Sequence, residues 1–153
     1  MASVLTAQTI SNLNPIVAPN QLGIGYVTKG RYTVSAALVE NDIIKLCVLP
    51  DGCVPLDFTL GASDLDTGTA LVMSVGLFDG TTGLVTDTEL ISLSDVGQAG
   101  GIARMNSLKG LTNIAKATTD RYIAAKVTTA PGTGATSGYL WGILWYEYAQ
   151  YGF

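Results

Sequence analysis

The chain has 153 residues, 48% of them hydrophobic and only 13% charged, with a formal net charge of −4. That length suits one domain, which can bury roughly 70% of its unfolded surface with no metal or disulfide staple. The charged share is about half that of ordinary soluble domains, so much of the surface is either uncharged or covered by a partner. Both alternatives point away from a freely diffusing enzyme. The basic residues Lys29, Arg31, Lys45, Arg104, Lys109, Lys116, Arg121 and Lys126 are scattered, without the basic stripe that displaces counterions from phosphates, so nucleic acid is not an expected partner. No run approaches 18 apolar residues, which argues against a membrane helix. Met1–Ser11 lacks the basic start and apolar block of a secretory signal, so the expected place of synthesis is a cytoplasm, where the chain stays until assembly.

Residues 1–22 stand apart from the rest. They carry no charge and include Pro15 and Pro19, yet Ile10, Leu13, Ile16, Val17 and Leu22 are too apolar for a solvated linker. Proline disfavours a helix or a central strand, so this reads as an extended arm lying either on another protein or on its own domain. Residues 23–153 read as a β domain of short strands broken by turn clusters. Gly25–Ala37 is a strand candidate with a turn at Lys29-Gly30. Ile43–Leu49 ends at Pro50-Asp51-Gly52, and Val54–Leu60 follows with Leu56, Phe58 and Leu60 in alternation. Ala70–Phe78, Arg121–Thr129 and Gly138–Tyr148 complete the strands. Asp87–Arg104 has some helical spacing, but Gly97, Gly100 and Gly101 each weaken a helix by about 1 kcal/mol, so at most a short helix or a long inter-sheet crossover is expected. The fold class is all-β, a sandwich or barrel.

The last strand has two apolar faces. Tyr139, Trp141, Ile143 and Trp145 alternate with Leu140, Leu144, Tyr146 and Tyr148, and Tyr151 and Phe153 follow. One face enters the core; the other needs either more core or a neighbouring subunit, and Trp and Tyr are enriched at such interfaces. Ile10, Leu13, Ile16, Val17, Leu22, Trp145, Tyr148, Tyr151 and Phe153 are therefore the candidate partner contacts.

Catalysis has little to draw on. The chain contains no histidine, which removes the commonest general base and rules out Ser-His-Asp and Cys-His arrangements within it. Cys47 and Cys53, without histidine, cannot complete a four-ligand zinc site; they read as buried thiols, with a disulfide as the alternative. Asp64 and Asp66 have the start of a calcium-loop spacing without its remaining ligands, so a polar turn is the better reading. Gly23-x-Gly25 lacks the rest of a dinucleotide fingerprint, and the glycine-rich stretch 131–138 lacks a phosphate-binding lysine. No catalytic, cofactor or metal residue is expected, and the chain does not read as an enzyme.

The order Asn41-Asp42-Ile43-Ile44, Leu49-Pro50-Asp51-Gly52, Leu56-Asp57-Phe58 and Val75-Gly76-Leu77 resembles that of proteins that decorate, or cement, the heads of tailed bacteriophages. The resemblance spans about a third of the chain. It implies a jelly-roll-like antiparallel β-sandwich, a dimer or trimer, and a position on the outside of the virion, with the arm clamping neighbouring major capsid protein subunits. A glycan- or receptor-binding sandwich from a phage tail or fibre is the alternative.

Overall fold

A computed structural model describes residues 4–6, 9–10, 25–81 and 83–149. Ten strands occur among them: β1 (Val4–Thr6), β2 (Thr9–Ile10), β3 (Tyr26–Val34), β4 (Ile43–Leu49), β5 (Cys53–Ala62), β6 (Val72–Leu77), β7 (Ile91–Ser94), β8 (Gly101–Arg104), β9 (Arg121–Thr129) and β10 (Gly138–Tyr148). One helix, α1, spans Lys109–Asn113.

The strands form two facing sheets. One runs β1-β4-β9-β6-β7 and the other β2-β3-β10-β5-β8. Counted from β3, the second sheet takes the first, eighth, third and sixth strands, and the first sheet takes the second, seventh, fourth and fifth. That is the jelly-roll order, two interlocked Greek keys. All the pairings from β3 onward are antiparallel. The short N-terminal strands add to one side of the sandwich, β1 parallel to β4 and β2 antiparallel to β3. The remaining residues of 1–22 lie outside the described residues.

The core fills the space between the sheets. Phe58, Leu60, Leu140, Leu144 and Tyr146 project from the β10 sheet against Ile44, Leu46, Met73, Val75, Ile123 and Val127 of the β9 sheet. Most have no exposed surface, and burying each such side chain contributes roughly 1.5–3 kcal/mol. Cys47 and Cys53 are both buried thiols. They sit on strands of different sheets, because the Pro50-Asp51-Gly52 turn carries the chain across the sandwich rather than closing a hairpin. Burial pushes the Cys47 thiol up to about 12 and Cys53 to about 11, so both remain protonated and unreactive at neutral pH.

Two local expectations change in the structure, and a third is decided between its alternatives. Gly30 is no turn: β3 runs straight through it, paired with Gly142 of β10. A Cβ at Gly30 would overlap the carbonyl oxygen of Leu46, and one at Gly142 would meet Phe58 at 2.8 Å and the Leu46 Cβ at 3.0 Å. The two glycines therefore let the opposite sheet's backbone approach. The second change is at Leu56, which does not share the buried face of Phe58 and Leu60. The β5–β10 register shifts so that Trp145 pairs with Asp57 and Tyr146 with Pro55, and this bulge turns Leu56 outward. Of the two expected alternatives for Asp87–Arg104, the structure has the inter-sheet crossover and no helix. The glycines of this segment leave β7 in one sheet and β8 in the other, with residues 95–100 crossing between them.

Gly30→Ala should lower stability by about 1–3 kcal/mol through overpacking against a backbone atom that no rotamer can relieve. The measurement is the denaturant midpoint; an unchanged midpoint would mean the sheets do not approach here.

Candidate functional site

The outer faces of the two sheets are treated differently. On the β9 sheet, Ile43 and Ala124 point away from the main core yet are fully buried, in a satellite cluster with Phe78, Leu84 and Tyr122. The chain itself covers this face. Phe78 bridges back to Leu84, the Thr88 hydroxyl accepts a hydrogen bond from the Leu77 N–H and donates one to the Val85 carbonyl, and the Lys45 ammonium lies 4.6 Å from the Phe78 ring centroid and 4.8 Å from that of Tyr122.

The β10 sheet presents its outer face without such a cover among the described residues. Period-two alternation sends Leu140, Leu144 and Tyr146 inward, so Tyr139, Trp141, Ile143 and Trp145 must point outward. Tyr139 is 42% exposed and Trp145 45%. Pairing builds rows across this face: Arg31, Trp141, Gly61 and Ile102 in one, Lys29, Ile143, Thr59 and Arg104 in the next, and Val27, Trp145 and Asp57 in the third. A Cβ at Gly61 would overlap the Trp141 ring, so the indole lies over the bare Gly61 backbone. The Arg31 guanidinium sits 3.7 Å from the Tyr139 ring centroid, a cation–π contact that holds both side chains. Arg104 pairs with Asp57 beside Trp145. The result is an aromatic strip with cations on both sides.

Of the sequence-derived contact residues, Trp145 lies on this exposed face, while Tyr148 is half-buried and packs against the core. Ile10 is in β2, at the edge of the same sheet. Leu13, Ile16, Val17, Leu22, Tyr151 and Phe153 fall outside the described residues. Arg31, Ile102 and Arg104 were missed, because only the strand register brings them beside the β10 aromatics. The signal that could have found Arg31 was the alternation of β3, in which Lys29 and Arg31 share one side.

The other chemical candidates have structural roles. Asp64 accepts a hydrogen bond from the Asp66 N–H. Asp66 is buried and its two oxygens accept main-chain N–H groups from Gly68, Ala70, Leu71, Gly132 and Thr133. It ties the loop after β5 to the glycine-rich loop before β10. The bond from Thr133, joined by those from Leu71, Gly68 and Ala70, holds its carboxyl well below the usual carboxylate range despite burial. No group of metal-ligating side chains occurs among the described residues, nor does a helix long and apolar enough to cross a membrane.

No protein-family model matches the chain, and no curated protein matches it. Solved structures do. A chain from the capsid of Ralstonia phage GP4 is similar at 32% sequence identity and a TM-score of 0.72, over 94% of this chain and 96% of that one. A chain from the cyanophage Pam1 capsid asymmetric unit shares the fold at 22% identity and a TM-score of 0.58, over 91% of this chain and 96% of that one.

The geometry at Asp66 fixes a pH dependence. A carboxyl whose folded pKa is depressed contributes stability in full above its unfolded value of about 3.9 and loses it as pH falls toward the folded value. Asp66→Asn should therefore lower Tm at pH 6, with the gap to the wild type narrowing below about pH 4. A gap that stays constant down to pH 2 would contradict the charged role of Asp66.

Proposed function

The chain belongs to the phage capsid-protein family represented by its match in the Ralstonia phage GP4 capsid, and from that premise we propose that it is a structural, non-enzymatic virion protein that binds the outside of the head. In this role it stabilises contacts between major capsid protein subunits and assembles with other copies of itself. The observation that carries the reading is the outward strip Tyr139, Trp141, Ile143 and Trp145, with Tyr139 and Trp145 exposed and Trp141 and Ile143 half-buried, which has no cover among the described residues like the one that buries Ile43 and Ala124 on the opposite outer face. Buried aromatics and arginines are what anchor protein interfaces, and Arg31 and Arg104 flank this strip. Residues 1–22, uncharged and joined to the sandwich by β1 at one sheet and β2 at the other, supply the second contact across a subunit seam. Each such contact made only in the assembled shell stabilises it by mass action. A glycan stacked on the same aromatics is the competing reading.

Trp145→Ala should change the stability of the isolated protein by less than about 1 kcal/mol, as for other exposed positions. It should nevertheless weaken co-sedimentation with heads of the phage that encodes the chain, which for the wild type saturates at a fixed ratio to the shell subunit. Loss of residues 1–22 should weaken it as well. Wild-type protein that does not sediment with any form of the head, or that binds a host-surface glycan instead, would remove the decoration role.

A further inference from the structure

The three most exposed large apolar side chains in the described structure are Leu93 at 67%, Ile102 at 68% and Leu108 at 71%. They fall within one stretch of 16 residues. Leu93 is on β7 and Ile102 on β8, the strands that end their respective sheets on the same side of the sandwich. Between them opens a cavity of about 300 Å³ whose lining includes Ser94, Asp95, Val96, Gln98, Ala99 and Ile102. The two strand edges are not equivalent. The Asn106 side-chain amide accepts from the Ser92 N–H and donates to the Ser92 carbonyl, which caps β7 as a neighbouring strand would. No such cap is found on β8 among the described residues. An open edge strand flanked by the exposed side chains of Ile102 and Leu93 has the geometry that accepts an extended peptide by strand addition. Such an edge left bare is also a liability that folded proteins usually blunt.

The occupant follows from chain length and position. Residues 11–24 leave β2 at Ile10, opposite Gly30, and return at Gly25, at the start of β3. Those two points lie about 17 Å apart along the strand, whereas the intervening chain can extend about 50 Å. It therefore has about 30 Å of spare length. The segment is uncharged and includes Leu13, Ile16, Val17 and Leu22; of the rim's charged residues, Arg104 at the end of β8 is paired with Asp57 and Asp95 lines the cavity. Its prolines, Pro15 and Pro19, suit an edge position, where one side of the strand needs no N–H. Its root is on the β2 side of the sandwich and the rim is on the β8 side. Joining the two between copies is a heterologous contact, which repeats from one copy to the next and can close a ring.

We propose that the β7–β8 rim is the acceptor for residues 11–24 of a second copy of this chain. This rests on the reading above that the N-terminal segment crosses a subunit seam, and it names the surface the segment meets there. The charge-free segment lies along β8 and covers Ile102 and Leu93.

The test replaces Ile102 by the photo-crosslinker p-benzoylphenylalanine in the full chain, grown in ¹⁵N medium and mixed with excess unlabelled wild type before irradiation. Because Ile102 is exposed, the replacement should leave the fold intact, which circular dichroism checks. Mass spectrometry should find ¹⁵N peptides carrying the crosslinker joined to unlabelled peptides from residues 11–24. Cross-links to residues 11–24 of the same labelled chain, cross-links confined to other segments, or no cross-link at all would each overturn the proposal. Wild-type head binding that fails while the hybrid cross-link forms would remove the decoration role and leave this contact standing. Head binding without the hybrid cross-link would remove only the contact.

Discussion

Strand β10 is apolar on both sides, and a two-layer sandwich can bury only one of them. The rest of the structure follows from that constraint. Leu140, Leu144 and Tyr146 are fixed inward by the core they share with Leu46, Ile123 and Val75, so the alternation of the strand forces Trp141 and Trp145 outward. Gly142 and its partner Gly30 make the inward side tighter still, by letting the β4 backbone come within contact of the β10 sheet. A one-residue slip of β10 would push the indoles into space that holds no room for them and expose the leucines instead. The outward position of the aromatic strip is thus a consequence of core packing rather than a local preference of the aromatic residues.

The two outer faces then show what the chain can and cannot cover by itself. The β9 sheet buries Ile43 and Ala124 beneath the residues that follow β6, and even places the Lys45 ammonium on aromatic rings there. The β10 sheet has no equivalent loop among the described residues, and it carries the larger aromatic area. A capsid protein spends its working life in contact with other subunits, and a chain with only 13% charged residues has a surface that loses little hydration when it is covered. In the proposed role, the uncovered face and the open β8 rim are the parts of the molecule completed by neighbours.

Much of the fold was legible in the residues. Ile43–Leu49, Arg121–Thr129 and Gly138–Tyr148 are strands within the limits their β-branched and apolar runs suggested, because strong turn clusters bound each of them. The sandwich class followed from the same punctuation. What could not be read was long-range pairing. Gly30 looks like a turn residue locally, and only the approach of Leu46 from the other sheet explains why β3 continues through it. Leu56 fits the alternation of Phe58 and Leu60, and only the register shift opposite Trp145 shows why it faces out. Trp145 itself was placed on a strand face correctly, but its identity as an exposed residue depended on which parity of β10 met the opposite sheet. Arg31 and Ile102 entered the candidate site for the same reason: both are row-mates of Trp141, 110 and 39 residues away in the chain.

The central claim is that the outer face of the β10 sheet is a protein-binding face in the assembled particle. Hydroxyl-radical footprinting of the free protein and of the same protein on heads tests it directly, since Trp141, Trp145 and Tyr139 all react readily when solvent reaches them. The account predicts oxidation of all three in the free protein and strong protection on the head, with Tyr122, on the face the chain already covers, unchanged. Equal oxidation of the three in both states would contradict it.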